Sequence, residues 1–248
     1  MKLLFLLVLL VLSQFAFAAN GKFNLLLEEI HTRSSDHPRS IYIYLPVGFK
    51  KAGVTRYPVL YMHDGQNLFD PERSTFGETW QVDKTLNDLI ARKVIPPIIV
   101  IGIDNTPDRT SEYTHAWEST RKTGGDADLY LDFLIYDLKR YIDHRFPTLP
   151  DAAHTGIMGS SLGGLVSLYA GARNSEVFGL IGAMSPSVWW NKKSILSIIE
   201  ESNLPQRVYI DSGALAGEMP KEAKEAALLF QRLGLEEVMF VLDNDGEH

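Results

Sequence analysis

Cysteine is absent from all 248 residues. That excludes disulfide staples, thiolate nucleophiles and cysteine-based metal centres, and it leaves the chain tolerant of an oxidising compartment. Basic charge is scarce: 24 Lys and Arg against 31 Asp and Glu give a net charge of −7, with no basic patch to offset it. Nucleic acid is therefore not expected as a partner. Beyond residue 18 no run is long and apolar enough to cross a bilayer, so stable membrane insertion of the mature chain is not expected either. Internal repeats, low-complexity tracts and linkers are missing, and no ligand cluster calls for a metal or cofactor.

What is there begins with a leader. Lys2 precedes an apolar stretch over residues 3–12, and Ala16-Phe17-Ala18 follows with the small-residue pattern of a cleavage site. Residues 1–18 thus read as a secretory signal peptide cut before Ala19, and the protein is expected to be secreted or periplasmic. The remainder, residues 19–248, is 230 residues or so by simple subtraction, about the size of one α/β domain.

Strand and helix patterns alternate along that domain. Residues 22–30 and 40–46 read as an opening antiparallel pair, and 57–63 and 97–103 as compact buried strands. Amphipathic helices are expected over 78–92 and 126–145. Strands at 179–184, 207–211 and 237–242 alternate with helices at 192–201 and 220–233. Such alternation implies a mostly parallel sheet with helices on both faces, joined by right-handed crossovers. Residues 106–125 form the longest stretch without a periodic pattern, as a substrate-side wall or lid would.

The segment His154-Thr155-Gly156-Ile157-Met158-Gly159-Ser160-Ser161-Leu162-Gly163-Gly164-Leu165 carries the chemistry. Strand, G-x-S-x-G corner and helix follow one another, which is the nucleophile elbow, with Ser161 at its apex. Gly159 and Gly163 are the positions where a larger side chain would collide with a neighbouring strand or helix. The helix that follows points its dipole and free N–H groups at the serine.

Four segments together carry a resemblance: the elbow Gly-Ser-Ser-Leu-Gly-Gly, the run Leu60-Tyr61-Met62-His63-Asp64-Gly65-Gln66-Asn67-Leu68-Phe69-Asp70, the stretch Thr79-Trp80-Gln81-Val82-Asp83, and Ser185-Pro186-Ser187-Val188-Trp189-Trp190-Asn191. In that order the chain resembles the esterase family of α/β hydrolases that includes esterase D, the enterochelin esterases and the feruloyl esterases. The resemblance implies an α/β-hydrolase fold and hydrolysis of a small-molecule ester. It also implies a closing helix after the catalytic histidine, which this sequence is expected to lack because it stops at His248.

A serine hydroxyl needs a base, placed downstream in the order Ser, Asp or Glu, His. His248 follows the last strand and matches the family's histidine loop. The orienting acid is expected just beyond the strand at 207–211, where the family's Gly-Thr-x-Asp/Glu pattern is broken by Ala216; Glu218 is the candidate and Asp211 the alternative. Leu162 and Gln66 are the expected oxyanion-hole amides. His63 reads as a structural hydrogen-bonding residue behind that loop. Trp189 and Trp190 are candidates for the substrate pocket, with core packing as the other reading. Arg109, Glu112, Trp117 and Arg121 either contact a polar substrate or form a solvated loop. Two other functions stay open: a catalytically silent binding domain on the same fold, and acyl transfer to an acceptor other than water.

Overall fold

The computed structural model describes residues 24–30 and 38–246. The expected signal peptide at 1–18, its expected cleavage site and His248 lie outside the described residues. Eight strands form one sheet in the order β1-β2-β4-β3-β5-β6-β7-β8: β1 Asn24–Ile30, β2 Arg39–Leu45, β3 Val59–His63, β4 Ile99–Ile103, β5 Thr155–Ser160, β6 Leu180–Met184, β7 Arg207–Gly213 and β8 Val238–Asp243. β2 runs antiparallel to both β1 and β4; every other pairing is parallel. The expected mostly parallel sheet is therefore present, and β3, which leads into the loop at 64–67, and β5, which leads into the elbow, are direct neighbours.

Side chains alternate across the pleat. Ile41, Ile43, Val59, Tyr61, Ile99, Ile101, Ile157, Ile181, Val208 and Ile210 share one buried face. It packs against helices α3 Ala127–Asp132 and α4 Arg140–Arg145, joined by a π-helical stretch Phe133–Lys139, and against α5 Leu162–Arg173, α6 Ser194–Glu200 and α7 Met219–Arg232. The opposite face meets α1 Val82–Ala91, where Leu86 packs with Tyr44, Met62, Leu68 and Val100. Over β8 that face is open among the described residues, with Met239 and Val241 exposed.

Two helices start later than their apolar periodicity suggests. α1 begins at Val82, not 78, because Gln81 is left-handed (φ 51°) and the Trp80 N–H is spent on the Asn67 carbonyl at 2.9 Å. α6 begins at Ser194, not 192, because Asn191, Lys192 and Lys193 all have positive φ. The stretch 106–125 is only partly a solvated loop: it contains a short helix, α2 Arg109–Glu112, and buries Tyr113 and Thr114, while Trp117, Arg121 and Lys122 are exposed.

A fully buried ion pair ties that stretch to the sheet. Arg39 on β2 donates to Glu112 Oε1 at 2.5 Å, both side chains having 0% exposure. Its other terminal nitrogen donates to the Asp104 carbonyl at 2.8 Å, and Thr106 Oγ1 donates to Glu112 Oε2 at 3.1 Å. The guanidinium also lies over the Tyr130 and Phe133 rings at 5.2 and 5.5 Å. Two charges taken out of water are tolerated only when paired and hydrogen-bonded on most sides, as here. Glu112 is thus a structural anchor and not a substrate contact. Replacing Arg39 with Met leaves the carboxylate buried without its partner and is expected to lower unfolding free energy by about 3–5 kcal/mol in denaturant titration; a loss below about 1 kcal/mol, the worth of a surface pair, would contradict the anchoring role.

Candidate active site

β5 ends at Ser160, and Ser161 turns the chain into α5 with φ 59° and ψ −119°. A non-glycine residue at such angles is strained by about 1–3 kcal/mol and persists only when its surroundings over-determine it. They do. The Ser161 N–H donates to the Met184 carbonyl at 3.0 Å, while its own carbonyl accepts from Leu165 N and Ser187 N, each at 3.0 Å. Gly159 must lack a Cβ, since one would lie 2.8 Å from both Gly163 C and His63 Cδ2. The Ser161 side chain is half-buried, and its Oγ lies 3.2 Å from Ser187 Oγ. Leu162 is the first residue of α5, so its N–H has no acceptor within the helix and points from the positive end of the dipole.

The loop after β3 forms the other wall. Asp64 is left-handed (φ 55°) and Gly65–Asn67 form one 3₁₀ turn. Gly65 sits so close to β4 that a Cβ would meet Ile103 N at 2.6 Å. Asp64 is clamped: Arg109 Nε and Nη2 donate to its two oxygens at 2.7 and 2.9 Å, and Asn105 Nδ2 donates at 2.6 Å. Asn105 N in turn donates to Gln66 Oε1 at 3.2 Å, which engages the side chain of Gln66 and leaves its backbone to shape the turn. A Cβ on Gly163 would lie 3.5 Å from Asp64 Oδ2, so this loop abuts the first turn of α5 beside the serine. Arg109 is therefore occupied in holding the loop after β3.

His63 lies behind the elbow with 0% exposure; its Nδ1 is 2.9 Å from the Tyr130 hydroxyl, and its Nε2 has no hydrogen-bond partner among the described residues. Burial pushes its pKa down to about 3, outweighing the opposite pull of Asp64. The imidazole is neutral and structural, and no group of three or more metal-ligating side chains occurs among the described residues.

The two acid candidates part company. Glu218 stands at the start of α7 with its side chain 81% exposed, facing Lys221 at 3.6 Å. Asp211, on β7, is half-buried, accepting from Ser185 N at 3.1 Å and from the Tyr209 hydroxyl at 2.9 Å. Burial pushes its carboxyl above the ordinary range, against the pull of both donors. Asp211 lines a cavity of about 590 Å³ together with Ser185, Tyr209, Asp243, Asp245 and Gly246. The strand end at 243–246 folds back over that cavity: Ala214 N donates to the Asp243 carbonyl at 2.8 Å and Leu215 N to the Gly246 carbonyl at 3.0 Å.

The adjacent tryptophans also separate. Trp190 is 1% exposed, donates its indole N–H to the Ala116 carbonyl at 2.8 Å and packs on Gly124. It is a core residue under the stretch 106–125, which corrects its expected place in a substrate pocket. Trp189 is half-buried, packed against the core, with the Arg121 guanidinium 4.9 Å from its ring centroid. Ser187 and Asp64 lie in the sequence motifs and Arg109 in the stretch 106–125, but no spacing rule marks the contact of Ser187 with Ser161 or of Arg109 with Asp64.

The family described as "Putative esterase" matches residues 32–236. The chain belongs to this esterase family. It is 27% identical over 186 residues to the uncharacterized protein YbbA of Bacillus subtilis, covering 72% of this chain and 69% of YbbA. Over 228 residues it is 26% identical to the ferri-bacillibactin esterase BesA of the same organism, covering 82% and 75%. Among solved structures, the enterobactin esterase FES from Shigella flexneri, crystallised in the presence of enterobactin, superposes with a TM-score of 0.72 at 21% identity, over 91% of this chain and 54% of that one. The likeness at that identity establishes the α/β-hydrolase fold, and this esterase-family chain spans about half of the FES chain.

His63 and His115 carry a pH consequence. His115, stacked on Tyr169 and bonded through Nε2 to Ser194 Oγ at 2.7 Å, is pushed down to about 4 by burial. Both folded values lie below the unfolded value near 6.5, so their contribution is complete above pH ~6.5 and is lost as pH falls, at about 1.4 kcal/mol per pH unit per proton. His63→Asn is expected to remove one proton's worth of that slope between pH 6 and 4 in chemical unfolding; an unchanged slope would show that His63 titrates normally.

Proposed function

We propose that this protein is a serine carboxylic ester hydrolase in which Ser161 is the nucleophile. The observation that carries the reading is the strained backbone of Ser161 between β5 and α5; a binding module has no need to hold a serine there. In this account His248 takes the proton of Ser161 Oγ as that oxygen attacks the ester carbonyl. The N–H groups of Leu162 and Gln66 receive the negative charge on the tetrahedral intermediate. The imidazolium then protonates the departing alcohol, and water, activated by the same imidazole, cleaves the acyl-enzyme.

Asp211 is the carboxylate we assign to orient His248, in place of Glu218. Its support is the cavity shared with residues 243–246, two positions short of the histidine, and its two hydrogen-bond donors, which favour an ionised, fixed carboxylate. The solvated Glu218 has neither. BesA is named as a ferri-bacillibactin esterase, and FES is an enterobactin esterase crystallised in the presence of 2,3-dihydroxy-N-benzoyl-serine, so esters whose acyl group carries a benzoyl ring are the substrates to try first, with Trp189 as the flat apolar surface.

Ser161→Ala is expected to abolish hydrolysis of p-nitrophenyl esters and covalent labelling by a fluorophosphonate. Asp211→Asn is expected to lower kcat by roughly 10³–10⁴-fold, the scale of a lost triad carboxylate, while Glu218→Gln stays within twofold of wild type. A fully active Ser161→Ala would overturn the enzyme reading. The reverse ranking of the two acid variants would return the role to Glu218.

A further inference from the structure

We propose that Ser187 is a second catalytic hydroxyl, donating a hydrogen bond to Ser161 Oγ that strengthens as this oxygen loses its proton. The inference rests on Ser161 being the nucleophile. Ser187 comes from the motif Ser185-Pro186-Ser187-Val188-Trp189-Trp190, to which hydrolysis as described above assigns no chemical step.

Five observations converge. The two hydroxyl oxygens are 3.2 Å apart. Ser187 is 1% exposed, so its hydroxyl has little access to bulk water as an alternative partner. Its backbone is fixed to the nucleophile's, with Ser187 N–H donating to the Ser161 carbonyl at 3.0 Å. The turn before it is pinned to the proposed acid, because Ser185, held at φ 39°, donates its N–H to both the carbonyl and Oδ1 of Asp211 at 3.0 and 3.1 Å. Behind it, Trp190 N donates to the Ser187 carbonyl at 3.1 Å, and the Trp190 indole is anchored in the core. A short rigid turn therefore runs from Asp211 to Ser161, and Ser187 presents its oxygen at the end of it.

The direction of the bond follows from proton bookkeeping. Ser161 has a single hydroxyl proton, and the reaction requires it to face the base. The contact between the two oxygens is then made by the proton of Ser187, with Ser161 Oγ as acceptor. As the Ser161 proton moves to the imidazole and the C–O bond forms, Oγ carries more negative charge than in the resting hydroxyl or in the acyl-enzyme ester. A hydrogen bond to a charged acceptor is about twice as strong as a neutral one. The gain is therefore concentrated in the transition states for attack and for expulsion of Ser161, which is the condition for acceleration. No proton of Ser187 is transferred, and the turnover balance is unchanged.

The test is the rate of fluorophosphonate attack on Ser161, resolved by mass spectrometry into probe affinity and a limiting rate constant. For Ser187→Ala the limiting rate constant is expected to fall about tenfold, equivalent to about 1.4 kcal/mol, with probe affinity and the final labelled fraction within twofold of wild type. kcat for p-nitrophenyl acetate should fall in parallel and KM should hold. A limiting rate within twofold of wild type, or a loss confined to probe affinity or to labelled fraction, would overturn the inference and leave Ser187 a packing residue. If Ser187→Ala does not accumulate as folded protein, Ser187→Cys, nearly isosteric and a weaker donor, is read by the same criteria with a smaller fall expected. Wild-type protein that labels elsewhere than Ser161 would instead defeat the nucleophile reading itself, a result distinct from an unaffected Ser187→Ala.

Discussion

The backbone of Ser161 is the constraint on which the rest depends. A serine at φ 59° and ψ −119° costs free energy that local sequence cannot return. The compensation comes from three directions: the Met184 carbonyl on β6, the Leu165 and Ser187 amides, and two glycines that let His63 pack directly behind the turn. Remove the close approach of β5, α5 and the loop after β3, and the serine relaxes into an ordinary helix cap. The parallel neighbours β3 and β5 are what make that approach available, because their C-terminal ends open onto the same edge of the sheet.

A second layer holds the first in place. Asp64 is gripped by Arg109 and Asn105, and Arg109 begins the short helix that ends in Glu112, itself locked to Arg39 on β2. Tyr130 lies under the Arg39 guanidinium and meets His63 through its hydroxyl. The stretch 106–125 thus acts as a brace between the antiparallel side of the sheet and the loop beside the serine. Two of its charged residues, Arg109 and Glu112, face inward to bind the fold together, while Asp108, Arg121 and Lys122 stay exposed. Rigid support at this distance is what a site needs if donors are to meet a developing charge without reorganising.

Much of this was legible in the chain. Apolar runs such as Ile99 to Ile103 announce buried parallel strands, and the elbow announces itself because only glycine fits beside it. Other features were hidden for physical reasons. Three consecutive left-handed residues, none of them glycine, delay α6, and no pattern of hydrophobicity encodes that. Arg39 and Glu112 are 73 residues apart, so their pairing belongs to tertiary structure. Trp189 and Trp190 are chemically identical neighbours, yet one is sealed under Ala116 and the other sits beneath Arg121. Spacing likewise says how far a carboxylate is from a glycine but not which way it points. That is why Glu218, at a plausible distance along the chain, turns to solvent while Asp211 faces the cavity.

The central claim is that a charge formed on a carbonyl-like oxygen at Ser161 is received by amides from two separate loops. A crystal structure of the full chain phosphonylated by a fluorophosphonate measures this directly. The account expects the phosphorus on Ser161 Oγ and its terminal oxygen about 2.7–3.1 Å from both Leu162 N and Gln66 N. An adduct on another residue, or a terminal oxygen pointing away from those two amides, would contradict it.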